Sequence, residues 1–268
     1  MRSNILVVPA EGDSVETEQL YVNDLIQHYD LAPQQVKVLD FFGNYQGVAQ
    51  IIAMFCDCEP SIARTLGKNL STAAQAIIDI FFEKDDGSSN YEVHAQGGFG
   101  AYLAYLMLSY HPERLDRVFF IGGAPSDAMM FYQKWFHRSF SKFWYATKIP
   151  FFADDPNPYH DPKIASIKAS STATMRANPW LYREQLILIG TWTIQDPRWR
   201  PKVPCYFVPN GKTVRAAWLD NSYDNEKASE IWGKHGVKTT GRPEQNFSFY
   251  SMMPSEALFK VMDKTIAL

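Results

Sequence analysis

Residues 91–125 read YEVHAQGGFGAYLAYLMLSYHPERLDRVFFIGGAP, and this stretch decides the fold. Tyr91-Glu92-Val93-His94 has strand character and runs into Gly97-Gly98. Phe99 to Tyr110 is an apolar run of helical length, and Arg117-Val118-Phe119-Phe120-Ile121 is a second strand stopped by Gly122-Gly123. Strand, helix and strand in so short a space make a βαβ unit, which joins parallel neighbours.

The same alternation extends outward in both directions. Ile5-Leu6-Val7-Val8 is an expected first strand, ending at Pro9 and the turn-forming Glu11-Gly12-Asp13-Ser14. Glu18 to His28 has helical spacing, Val36 to Leu39 is a strand broken by Asp40 and Gly43, and Leu70 to Phe82 is helical with Ser71 or Thr72 as N-cap. Val203 to Val208 is a further strand, and Pro254 to Ile266 closes the chain as a helix. Repeated βα alternation predicts a mostly parallel central sheet flanked by helices.

Between Met129 and about Arg200 the strand signals vanish. Phe131 to Phe152 holds ten aromatic residues mixed with Lys134, Arg138, Lys142 and Lys148, and Asp154-Asp155-Pro156-Asn157-Pro158 breaks it before helical material resumes up to Trp192. This reads as a helical, aromatic-rich cap or lid inserted at 129–200 into an α/β core formed by 1–128 and 201–268. The aromatics serve equally as the insertion's own small core.

Composition excludes several functions. With 26 basic against 29 acidic residues, the chain lacks the basic excess that binding nucleic acid by phosphate neutralisation requires. At 46% hydrophobic it is too apolar for a disordered chain. No apolar run is long enough for a transmembrane segment, and the apolar run near the N-terminus is too short for a signal-peptide core, so a cytoplasmic protein is expected. Cys56, Cys58 and Cys205 cannot all pair, and Cys56-x-Cys58 has neither a second pair nor a nearby His, so free thiols and no metal are expected.

The segment Tyr91–Pro125 resembles the nucleophile-elbow region of the α/β-hydrolase family, in which a strand runs into G-x-S-x-G-G, then a helix, then H/Y-P-E-R-V and an apolar strand. Ile5–Ser14 is similar to the family's oxyanion loop, Leu39–Gly47 to its D-x-x-G-x-G turn, and Lys202–Gly211 to the strand before its acid loop. The resemblance implies the α/β-hydrolase fold. It also implies where a Ser-Asp/Glu-His triad should stand. The elbow aligns as Val93-His94-Ala95-Gln96-Gly97, which places Ala95 at the nucleophile; the acid position falls on Val214, and the base position on Asn246 or Phe247. A methyl group cannot attack a carbonyl, and a triad works as a unit, so the expected chain is a non-hydrolytic, degenerate member.

The remaining candidates surround the expected cleft. Gln96 follows the elbow and would offer a backbone N–H to an oxyanion hole; Glu11 and Gly12 occupy the oxyanion loop, where a carboxylate repels a developing oxyanion. Glu11 serves as a pocket acid or base, or as a turn carboxylate. His94 is a packed core residue or a catalytic one. Asp40 looks into the cleft or stabilises its own turn. Asp127 is an alternative acid or the N-cap of the first lid helix. Trp135, Phe136 and Trp144 would line a pocket for a hydrophobic, acyl or aromatic small molecule at the carboxyl edge of the sheet. His235 with Gly236 reads as the basic C-terminal end of a helix. No cofactor is implied. The expected function is ligand binding or repurposed acid–base chemistry. The alternatives are an esterase or thioesterase whose serine became Ala95, and a scaffold that takes a protein partner through the cap.

Overall fold

The computed structural model describes residues 3–41, 43–45, 70–85, 90–129, 173, 179–209, 223–243 and 256–267. Among them, six strands form one all-parallel sheet: β1 (Asn4–Val8), β2 (Val36–Val38), β3 (Tyr91–Gln96), β4 (Leu115–Ile121), β5 (Cys205–Val208) and β6 (Lys238–Thr239). The order is β2-β1-β3-β4-β5-β6, so the direction of winding reverses between β1 and β3. A cleft opens beyond the carboxyl ends of strands at such a switch point.

Helices cover both faces. α1 (Gln19–Tyr29) and α6 (Glu256–Ile266) pack Tyr21, Leu25, Leu258, Phe259 and Met262 against Ile5, Val7 and Phe119. On the other face, α2 (Leu70–Lys84), α3 (Gly97–Tyr110), α4 (Pro179–Ile189) and α5 (Asn225–Lys234) form the larger core with Leu6, Val8, Val93 and Phe120. Strand alternation sends neighbouring residues to opposite cores. α4 lies within the stretch read as insertion, yet Leu181, Leu186 and Ile189 belong to this larger core. Trp232 of α5 stacks on Phe120 at 4.1 Å between ring centroids, and its indole N–H donates to the Gly123 carbonyl at 3.1 Å.

β3 departs from an ordinary buried strand. All six of its residues are buried, yet Glu92, His94 and Gln96 make one of its faces wholly polar. Each finds a partner. His94 Nδ1 lies 2.8 Å from the Tyr21 hydroxyl and Nε2 lies 2.9 Å from Glu92 Oε1. With Nε2–H donating to the carboxylate, Nδ1 accepts from Tyr21, which satisfies the ring. Arg117 Nε stands 3.4 Å from the other Glu92 oxygen. His94 is therefore a packed core residue.

Several boundaries differ from the sequence expectation. β3 continues through Gln96, and α3 begins at Gly97 rather than Phe99. β6 was not anticipated; both its residues are exposed and leave no apolar trace. His235 is the C-cap of α5, Gly236 follows at φ +83°, and His235 Nδ1 meets the Trp199 carbonyl at 3.0 Å. Cys205 is a free, buried thiol whose ionisation is pushed far up by burial. No helix among the described residues is long and apolar enough to cross a membrane.

Candidate functional site

The switch point is built from the loop after β1 and the end of β3. Ala10 to Asp13 form a tight turn, with Asp13 N–H donating to the Ala10 carbonyl at 3.2 Å and Gly12 at φ +83°. The loop then enters α1 through Ser14 and Thr17: Ser14 N–H donates to Thr17 Oγ1 at 2.7 Å, and that hydroxyl donates to the Ser14 carbonyl at 2.8 Å. This local ring brings Glu18, the N-cap residue of α1, into the protein.

The elbow is defined by its backbone conformation. Ala95 sits within β3, paired with Val8 and Phe120 and fully buried. Gln96 is still extended, and the positive φ that marks the strand-to-helix turn, +62°, belongs to Gly97. Ala95 resembles the small residue two places before a turn; the conformational demand falls on the glycine. Backbone packing here is tight. A Cβ on Gly97 would stand 2.9 Å from Ala10 Cβ and 3.0 Å from Glu11 Oε2; one on Gly100 would stand 2.8 Å from the Val8 carbonyl oxygen.

Two carboxylates clamp the loop to the elbow. Glu11 Oε2 accepts from the Phe99 N–H at 3.3 Å, in the first turn of α3, where the N–H groups and the helix dipole favour negative charge. Glu18 Oε2 accepts from Gln96 Nε2 at 2.8 Å. A third tie comes from α4, where Gln185 Oε1 accepts from the Gly12 N–H at 3.1 Å. Glu18, Gln96 and Gln185 are all fully buried. Each keeps one polar atom without a hydrogen-bond partner among the described residues: Glu18 Oε1, Gln96 Oε1 and Gln185 Nε2.

Electrostatics follow from that crowding. Burial, reinforced by the charge of Asp13, pushes the Glu18 carboxyl well above the usual carboxylate range, and the Gln96 hydrogen bond offsets this only in part. Burial also raises the Tyr182 phenol strongly, with Glu11 and Asp13 adding to it. Elsewhere, the buried Ser126 Oγ has no partner among the described residues. The Tyr223 hydroxyl crowds the space a side chain on Gly98 would need.

Of the residues singled out in the sequence, the structure brings Glu11, Gly12 and Gln96 together. Asp40 is directed to its own turn, accepting from the Gly43 N–H at 2.8 Å. Asp127 is exposed within the one-turn helix Ser126–Ala128 rather than starting a longer one there. Trp135, Phe136, Trp144, Val214 and Asn246 lie outside the described residues. Asp13, Glu18, Tyr182 and Gln185 were missed. The Ser14-x-x-Thr17 pair was the available signal for the first two, because it fixes how the chain enters α1. Among the described residues no cluster of His, Cys, Asp and Glu could hold a metal ion.

No protein-family model matches the sequence, and no curated protein matches it. Solved structures do. RedJ, a thioesterase from the prodiginine biosynthetic pathway of Streptomyces coelicolor, is similar with a TM-score of 0.58 at 12% identity, over 98% of this chain and 85% of that one. YbtT, a type II thioesterase from the yersiniabactin NRPS/PKS biosynthetic pathway, gives 0.58 at 12% identity over 98% and 92%. An N-formylmaleamic acid deformylase from Pseudomonas putida gives 0.50 at 12% identity over 97% and 91%. Identities this low carry architecture rather than activity. Together with the parallel sheet, its switch point and the glycine-lined elbow, they establish that this chain has the α/β-hydrolase fold.

Proposed function

We propose that this protein is a non-hydrolytic member of its fold that binds a hydrophobic or aromatic small molecule at the carboxyl edge of the sheet, acting by binding or by repurposed acid–base chemistry. One observation carries the reading. The Glu11 carboxylate already accepts a hydrogen bond from the first turn of the elbow helix, beside the Gly97 turn. An oxyanion hole works by presenting N–H donors to developing negative charge, and a carboxylate held beside that turn repels the charge. The turn residue is glycine, which brings no nucleophile. Val214 and Asn246, aligned with the acid and the base, complete the expectation from sequence. The insertion 129–200, with Trp135, Phe136 and Trp144, would supply the apolar cover.

Restoring a hydroxyl should not restore hydrolysis. Neither Ala95→Ser nor Gly97→Ser is expected to raise cleavage of short- or long-chain acyl esters and thioesters above background. Gly97→Ser should also cost about 1–3 kcal/mol of stability through overpacking against Ala10. Turnover in either variant would overturn the non-hydrolytic reading. For the binding function, native mass spectrometry of the purified protein should show a small-molecule adduct that denaturation removes. A spectrum of the bare chain, combined with failure to bind alkyl-chain probes, would remove the reading.

A further inference from the structure

At the amino edge of the sheet, away from the switch point, the loop leading into β5 and the turn from α5 into β6 form a cavity of about 290 Å³. Arg200, His235 and Lys238 line it, and among the described residues no Asp or Glu does. Two basic neighbours are already paired, Arg198 with Asp196 at 3.6 Å and Lys234 with Glu230 at 2.7 Å. Arg200, His235 and Lys238 have no carboxylate partner among the described residues. His235 supplies a second observation. It is only 8% exposed, and its Nδ1 lies 3.0 Å from the Trp199 carbonyl. A carbonyl only accepts, so Nδ1 carries the hydrogen, and Nε2 is the nitrogen left for a ligand. The Arg200 guanidinium is held by the same segment: Nη1 donates to the Pro197 and Trp199 carbonyls at 3.0 and 2.7 Å, which leaves Nε and Nη2. Its stem lies beside His235, since a Cβ on Gly236 would stand 3.4 Å from Arg200 Cδ.

We propose that this cavity binds the phosphate group of a small organic phosphate monoester, whose organic part rests on Pro201, Pro204 and Tyr206. A phosphate monoester presents three strong acceptor oxygens. Guanidinium, imidazole and ammonium come to it from three places in the chain: the loop before β5, the C-cap of α5 and the start of β6. A carboxylate offers two oxygens in one plane and would leave one of the three groups unmet. His235 Nε2 accepts from the P–OH of a hydrogen phosphate, or donates to the dianion once that proton has crossed, so ring and phosphate share one proton in either form. The Cys205 thiol, also on the cavity wall, adds no opposing charge, because burial pushes its ionisation far up. Small-molecule pockets begin at roughly 300 Å³, which limits the organic part to a short chain or a single ring. The site stands apart from the apolar binding proposed above, at the other edge of the sheet.

Isothermal titration calorimetry of the whole protein with phenyl phosphate, inorganic phosphate and benzoate at pH 7 tests this. Phenyl phosphate should bind about tenfold tighter than benzoate or better, with inorganic phosphate between them. Arg200→Gln and Lys238→Met should each weaken phenyl phosphate about tenfold, whereas Lys202→Met, exposed and outside the cavity, should change it less than about twofold. Proton NMR reads the buried ring directly: the imidazole signal missing from His235→Gln should shift when the unaltered protein is titrated with phenyl phosphate. Failure of phenyl phosphate to bind, or affinity no better than that of inorganic phosphate or benzoate, would overturn the assignment. So would equal losses in all three cation variants, the mark of diffuse surface attraction, or binding that leaves the His235 signal unmoved. Arg200 and Lys238 are exposed, so their variants decide the matter should His235→Gln not fold.

Discussion

Gly123→Ala is expected to destabilise the protein by about 3 kcal/mol or more, the upper end of what overpacking costs. An added Cβ would collide with the carbonyl oxygen of Gly97, lie 2.6 Å from that carbonyl's carbon, and stand 2.8 Å from Ala101 Cβ. The first two belong to backbone at the elbow, so no rotamer change relieves them. Strand β4 cannot retreat, since Trp232 is stacked on Phe120 and bonded to the Gly123 carbonyl. Urea unfolding followed by circular dichroism would measure the loss. A midpoint within a few tenths molar of the wild-type value would mean that the elbow is not packed as described.

The second large effect is a pH dependence carried by Glu18. Its folded carboxyl holds its proton to higher pH than the unfolded one does, because burial and Asp13 both disfavour the charge. The associated stability is fully present below about pH 4, where both states are protonated, and is lost as pH rises through the folded pKa. Across that window the folded state binds more protons than the unfolded state, so this one group lowers stability by up to about 1.4 kcal/mol per pH unit. Glu18→Gln keeps the size and a hydrogen-bonding amide while removing the titration. Denaturation curves from pH 4 to pH 8 should therefore show the variant gaining on the wild type as pH rises. Parallel pH profiles for the two proteins would contradict the buried, proton-holding state of Glu18. A carboxylate stabilised by its setting would give the opposite trend, since lowered pKa values favour folding at high pH.

Much of the architecture was legible in the amino-acid sequence, for identifiable reasons. Strands such as Ile5–Val8 and Val118–Ile121 are short apolar runs closed by Pro9 or Gly122, and buried parallel strands leave that trace. β6 left none, because Lys238 and Thr239 pair with β5 through backbone alone and face solvent. The exact turn of the elbow was not legible. Ala95 is small, as the motif's first glycine is, and three glycines within Gly97 to Gly100 permit more than one register. Only the backbone dihedral, positive at Gly97, resolves the ambiguity.

The site was less legible than the fold. A glutamate at the head of a helix ordinarily faces water and complements the dipole, so Glu18 carried no sign of its burial. Its burial is set by Gln96, far away in sequence and adjacent only after β1 and β3 pair. Gln185 was hidden in the same way, as a polar residue in the middle of an apolar helix. Glu11 stands out in the sequence as a carboxylate in the turn after the first strand. That it accepts from Phe99 is a property of tertiary contact alone.

The polar face of β3 has one more effect, on how α1 lies across the sheet. A helix resting on a greasy surface can slip by a turn at little cost, since one apolar contact replaces another. Here Glu18 is tied to Gln96 and Tyr21 to His94. Partners three residues apart on a helix are separated by about 4.5 Å, those two apart on a strand by about 6.6 Å, a gap that side-chain length bridges in only one alignment. Two directional bonds thus act as a vernier, fixing the seating of α1 where hydrophobic contact by itself would leave it free to slide.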